Sequence, residues 1–91
     1  MEKALERQLD ETMNNPGVVG VLCADKQGLC LGARGTGERQ TCGLITSLAE
    51  TAQKLHPDES SSPVISIETD NMQILIKSKE GITTAVYKSS T

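Results

Sequence analysis

Val18-Val19-Gly20-Val21-Leu22-Cys23-Ala24 and Leu29-Cys30-Leu31-Gly32-Ala33 are two apolar runs separated by Asp25-Lys26-Gln27-Gly28. Two such runs joined by a four-residue turn predict a β-hairpin. Asp at the first turn position and Gly at the fourth suit a type I turn, since Gly takes positive φ without a Cβ clash. Neither run alternates apolar and polar residues, as a strand with one wet face does. The hairpin is therefore expected to be covered on both sides, by helices of this chain or of a partner.

Upstream, Met1, Leu5, Leu9 and Met13 recur every four residues on an otherwise charged segment, which predicts a helix over residues 2–14. Asn14-Asn15-Pro16-Gly17 ends it: Asn tolerates a left-handed C-terminal position and Pro cannot continue the helical ladder. Downstream, Gly35-Thr36-Gly37 breaks the chain and a second helix is expected over residues 38–55. On a helical wheel Cys42, Leu44, Ile45, Leu48, Ala49, Ala52 and Leu55 fall within an arc of about 160°, against the roughly 100° that a surface helix needs. Thr46, Ser47, Glu50, Gln53 and Lys54 take the opposite side, with Thr51 at the border. The extra width lies on the side of Leu44, Leu48 and Leu55, so one part of the helix can cover its own sheet while another meets a neighbour.

Residues 56–63 are a polar loop with two prolines and a serine run. Three strands follow. Residues 63–69 alternate, with Ile65 and Ile67 on one face and Val64, Ser66 and Glu68 on the other; Pro63 at the start suits a sheet edge. Asp70-Asn71 is a tight turn, residues 72–77 a strand, residues 78–81 a turn and residues 82–88 the last strand. Helix, two strands, helix, three strands, with consecutive hairpins, define a largely antiparallel α+β domain spanning residues 1–91.

The chain has 91 residues with one Tyr, no Phe and no Trp. A domain of this size buries only a little over ~60% of the surface that its unfolded chain exposes. Without aromatics the core must be aliphatic, and association with another subunit is a natural source of further burial. The net charge is −3, and Lys and Arg are scattered. Nucleic-acid binding and docking on an anionic membrane both need clustered positive charge, so neither is expected. Three Cys without a C-x-x-C, and a charged, periodic start, point to a reduced, intracellular setting. No apolar run reaches the ~18 residues that span a bilayer. Glu2 stands where myristoylation needs Gly, and the last residues, Ser89-Ser90-Thr91, hold no prenylation box.

No catalytic constellation emerges. His56 precedes Pro57 in a loop, with Asp58 and Glu59 adjacent only in sequence, and reads as a solvated side chain. Cys23, Cys30, Cys42 and His56 lack the close pairs of a structural zinc site and read as small buried hydrophobes plus a loop histidine. Gly35-Thr36-Gly37 is followed by Glu38, Arg39 and Gln40, so neither phosphate-binding glycine motif is complete. Glu68 and Asp70 read as a solvated turn rather than a catalytic pair. No catalytic residue, metal or cofactor is expected. What remains is a helix apolar over too broad an arc, and an edge strand after it.

Asn15-Pro16-Gly17-Val18-Val19-Gly20-Val21-Leu22-Cys23, then Asp25-Lys26-Gln27-Gly28-Leu29 and Leu31-Gly32, with Glu68-Thr69-Asp70-Asn71 and Gly81-Ile82-Thr83 later, closely resemble the roadblock family, over nearly the whole chain. The chain departs from the family pattern at Gly37-Glu38-Arg39-Gln40, which leaves the start of the second helix open by a turn. The resemblance implies a profilin-like αββαβββ fold, with a five-stranded antiparallel sheet and one helix on each face. It implies pairing with another roadblock-fold subunit through the third strand and the second helix, here Leu44, Leu48, Thr51, Leu55, Val64, Ser66 and Glu68. It further implies a Ragulator-type scaffold, wrapped by a lipidated anchoring subunit on the cytosolic face of the lysosome or late endosome. That scaffold docks Rag GTPases and supports activation of mTOR complex 1. Hepatitis B virus X protein and survivin are additional partners that the resemblance suggests. Two alternatives stay open: a direct regulator of a small GTPase, with solvated Arg34 or Arg39 as the inserted residue, and a dynein-associated light chain.

Overall fold

The computed structural model describes residues 2–55 and 62–89. Helix α1 (Glu2–Met13) leads into β1 (Val18–Ala24) and β2 (Cys30–Gly35); a single 3₁₀ turn (Arg39–Thr41) precedes helix α2 (Cys42–Leu55), and β3 (Val64–Glu68), β4 (Met72–Lys79) and β5 (Ile82–Ser89) complete the chain. The strands form one antiparallel sheet in the order β2-β1-β5-β4-β3. The helices lie on opposite faces: α1 packs on β1 and β2, and α2 on β1, β4 and β5.

Strand β1 is central, and its alternate side chains enter two separate cores. Leu22 and Ala24 join Cys42, Ile45 and Ala49 of α2 with Ile76, Ala85 and Tyr87. Val21 and Cys23 join Leu9 of α1, with Leu5, Met13, Ile82 and Val86 packed around them. The stripe predicted for α1 is thus its packing face from Leu5 to Met13; Met1, its first member, lies outside the described residues. So does the loop segment that includes His56, Asp58 and Glu59.

The hairpin closes as its residues dictate. The Gly28 amide donates to the Asp25 carbonyl at 3.1 Å, and Gly28 has φ +86°. The Asp25 carboxylate accepts from the amides of Gln27 and Leu29, each at 2.9 Å, an Asx-type brace across the turn. Coverage on both sides holds for β1 only. Strand β2 is the sheet edge, with Leu29 and Leu31 65% and 38% exposed. An apolar run has the same appearance whether its strand is central or at an edge.

Three further elements differ from the sequence reading. The second α-helix begins at Cys42 rather than at residue 38. Glu38 is extended (φ −102°, ψ 119°) and makes no side-chain capping bond, so the chain first tightens into a 3₁₀ turn, with Thr41 Oγ1 donating to the Glu38 carbonyl at 2.7 Å. The β4–β5 connection is two residues, not four: Glu80 (φ 53°) and Gly81 (φ 83°) both adopt the left-handed conformation of a type I′ turn, and Lys79 pairs with Ile82. Thr46, placed by the helical wheel on the polar side, is 5% exposed, and its Oγ1 donates to the Asp25 carbonyl at 3.2 Å. A threonine turned inward keeps its hydroxyl satisfied when a loop carbonyl is in reach.

Gly20 marks one of the close approaches between chain segments in the domain. A Cβ there would meet the backbone nitrogens of Thr36 and Gly37 at 2.8 and 2.9 Å, where the chain leaving β2 crosses β1 and the Thr36 amide donates to the Val19 carbonyl. Backbone atoms cannot step aside cheaply. Gly20→Ala is expected to cost about 1–3 kcal/mol, read as a lower urea midpoint with an unchanged slope.

Candidate interaction surface

Helix α2 divides its apolar residues into two stripes. Cys42, Ile45, Thr46 and Ala49 are buried against the sheet. Leu44, Leu48, Thr51 and Leu55, at successive steps of four, three and four, run along the outside. Leu44 is 68% exposed, Leu48 41% and Leu55 85%, and Thr51 is also exposed. The inner stripe is mostly small, so the helix sits close to the sheet and leaves its largest side chains outward.

The edge of the sheet on the far side from β2 is β3, which among the described residues pairs with β4 alone. Its unpaired backbone groups are open to a strand from another chain. Ile65 lies opposite Ile76, and Ile67 opposite Ile74, so both point to the face that α2 covers. Val64, Ser66 and Glu68 point to the face that carries α1. The seven residues named from the sequence are all exposed, but the structure divides them between the two sheet faces. The β3 side chain that shares the leucine stripe's face and is also exposed is Ile67 (36%), which the sequence reading did not select. The alternation was visible; the missing signal was which face α2 covers. On the other face Ser66 Oγ donates to Glu68 Oε2 at 3.3 Å and accepts from Gln73 Nε2 at 3.1 Å, a polar cluster bordering Val64.

The arginines held open for insertion into a GTPase are engaged within the chain. Arg34 Nε pairs with Asp10 Oδ1 at 3.0 Å, and its Nη1 donates to the Ala33 carbonyl. Arg39 Nη1 lies 3.6 Å from Cys30 Sγ. Arg34 is thus half-buried and paired rather than freely solvated, whereas Arg39 is exposed, as expected from the sequence. Among the described residues no group of three or more His, Cys, Asp or Glu side chains is placed to hold a metal ion, and no helix is long and apolar enough to cross a membrane.

The thiols behave as interior groups. Cys23 is buried beside Thr84 Oγ1 at 3.5 Å, and burial pushes its pKa up. Cys42 is 1% exposed; burial, then the neighbouring Cys30, raises its pKa from 9.0 to about 12. Cys30 is half-buried rather than fully interior.

A two-helix, five-stranded antiparallel domain in this strand order has the roadblock-type fold, and solved structures agree. The Roadblock/LC7 domain from Streptomyces avermitilis superposes with a TM-score of 0.73 at 15% identity, covering 89% of this chain and 74% of that one. Myxococcus xanthus MglB superposes with a TM-score of 0.83 at 11% identity, covering 98% and 72%. Sequence relationships are narrower. The family model described as Ragulator complex protein LAMTOR5 matches residues 1–88. The LAMTOR5 homolog of Nematostella vectensis is 50% identical over 88 residues, covering 97% of each chain. The LAMTOR5 protein of Xenopus tropicalis is 44% identical over the same length, again covering 97% of each. The chain belongs to the LAMTOR5 family of Ragulator complex proteins.

The Cys42 shift carries a pH dependence. The fold favours the protonated thiol, so this contribution to stability is whole below the ordinary value of 9.0 and is lost as pH rises toward about 12. Denaturation midpoints followed from pH 8 to 11 (roughly the window between the two values) are expected to fall more steeply for the native chain than for Cys42→Ala.

Proposed function

We propose that this chain is a non-catalytic scaffold subunit of the Ragulator complex. It pairs with a second roadblock-fold subunit through the outer stripe of α2 and the free edge of β3. The observation that carries this reading is the exposure of Leu44, Leu48 and Leu55 on a helix whose inner face already covers its sheet. Burying each such side chain in an interface contributes about 1.5–3 kcal/mol before the costs of association. Ile67 and the β3 backbone extend the same surface, and Val64, Ser66 and Glu68 form its border on the opposite face. One of the structural neighbours is itself described as MglB with a tetrameric arrangement, which fits a fold that assembles.

On this reading the chain is a counterpart of the hepatitis B virus X-interacting protein. It holds no membrane element of its own in its described helices; a lipidated anchoring subunit supplies the cytosolic lysosomal or late-endosomal location. The assembled complex docks Rag GTPases and supports amino-acid-dependent activation of mTOR complex 1. Hepatitis B virus X protein and survivin are further partners on the same reading.

Sedimentation of the pure chain, alone and mixed with a second roadblock-fold Ragulator subunit, tests the pairing. Leu48→Asp places a charge in an apolar contact and is expected to weaken association by at least ~10-fold, equivalent to about 1.4 kcal/mol, while leaving the circular dichroism spectrum of the free chain unchanged. Unaltered affinity would reject this face.

A further inference from the structure

The three prolines of the chain follow Asn15, His56 and Ser62, so Ser62 is the one Ser or Thr that stands directly before a proline. It is exposed and lies outside the helices and strands, two residues before β3 begins. Pro63 biases it away from the helical region toward an extended backbone, the form in which a protein kinase takes up its substrate. Ser62 also lines a hollow of about 230 Å³, walled by Thr46 and Glu50 of α2, by Lys26 of the β1–β2 turn, and by Ser78 and Thr83. The buried hydroxyls of that wall are engaged: Thr46 Oγ1 donates to the Asp25 carbonyl, and Thr83 Oγ1 to Ser78 Oγ at 3.3 Å. Ser78 keeps its own hydroxyl proton to donate. Lys26 lays its aliphatic stem over Gly81, where a Cβ would meet its Cε at 3.1 Å. Among the described residues, Lys26 and Glu50 are the charged side chains that line the hollow.

We propose that Ser62 is a phosphorylation site for a proline-directed protein kinase, and that Lys26 holds the phosphoserine across this hollow. In the transfer, Ser62 Oγ attacks the γ-phosphorus of ATP. An O–P bond forms, the bond from that phosphorus to the β-phosphate oxygen breaks, ADP leaves, and the hydroxyl proton passes to the base of the kinase. The new group carries about −1.5 to −2 charges at neutral pH and three strong acceptor oxygens. Lys26 supplies the opposite charge, and Ser78 supplies a hydroxyl donor on the same wall. Glu50 repels the phosphate, which therefore settles toward Lys26 and away from α2. A space of 230 Å³ is about 6 Å across, its cube root, so a lysine and a phosphoserine reaching toward each other span it. The contact fastens the segment that enters β3 to the β1–β2 turn, and it does not depend on which partner covers α2.

The full-length chain is incubated with magnesium ATP and purified proline-directed kinases of the mitogen-activated and cyclin-dependent classes, then analysed by intact mass, peptide mapping and phosphorus NMR. One phosphoryl group is expected, at Ser62 rather than at Ser60 or Ser61, and none in Ser62→Ala. The second pKa of the phosphate is expected below the value of about 6 for a free phosphoserine. It should rise by roughly 0.3 in Lys26→Ala and fall by a similar amount in Glu50→Gln. Both substitutions alter exposed side chains and should leave the circular dichroism spectrum unchanged. Three results would each overturn the proposal: no phosphoryl gain in the native chain, an equal gain in Ser62→Ala, or the same phosphate pKa in the native chain and in Lys26→Ala.

Discussion

Strand β1 has no free face and no free edge, and the rest of the domain is arranged around that condition. It lies between β2 and β5, and Val21, Leu22, Cys23 and Ala24 are each 5% exposed or less. Every polar backbone group there must be paired by its neighbours, because water does not reach them. Both faces must receive a helix, and the two helices must stand on opposite sides of one sheet. The same burial brings the chain leaving β2 directly across β1, where Gly20 gives it room and the Val19 carbonyl accepts from Thr36. That crossing holds Thr36 and Gly37 in place, and the extended Glu38 follows, so the α-helix cannot begin at once. The 3₁₀ turn and the late start of α2 are consequences of how tightly β1 is enclosed.

Much of this was written in the sequence where a residue's role is local. The Asp25–Gly28 turn, the α1 stripe and the alternation of β3 each rest on side chains that act on their own or adjacent backbone. What the sequence left out depended on which elements become neighbours. The run from Leu29 to Ala33 gives no sign that β2 is an edge, because an apolar residue has the same composition whether covered or bare. Thr46 belongs to the polar side of a helical wheel until the Asp25 carbonyl is beside it. Glu80 is an ordinary strand or turn residue until the Lys79–Ile82 pairing forces it to positive φ. For the candidate surface, the leucine stripe of α2 was readable from its arc. The matching residue on β3 was not, since choosing Ile67 over Val64 requires knowing which face α2 covers.

The distribution of side-chain size on α2 runs against what a solitary domain needs. A helix on its own sheet gains most by turning its largest apolar residues inward. Here the inner stripe is Cys42, Ile45, Thr46 and Ala49, while Leu44, Leu48 and Leu55 stand outside. The sheet beneath contributes bulk of its own, with Tyr87, Leu22 and Ile76 filling the space that large helix residues would otherwise occupy. The interior is therefore complete without the leucines, and exchanging them inward would overfill it, at a typical cost of about 1–3 kcal/mol. A chain of 91 residues with a single aromatic has little apolar area to spare. Leaving three leucines in water forgoes burial that the fold could have used elsewhere. That allocation makes physical sense when the outer stripe is covered by a second polypeptide, so that the stability of this domain and its assembly draw on the same residues.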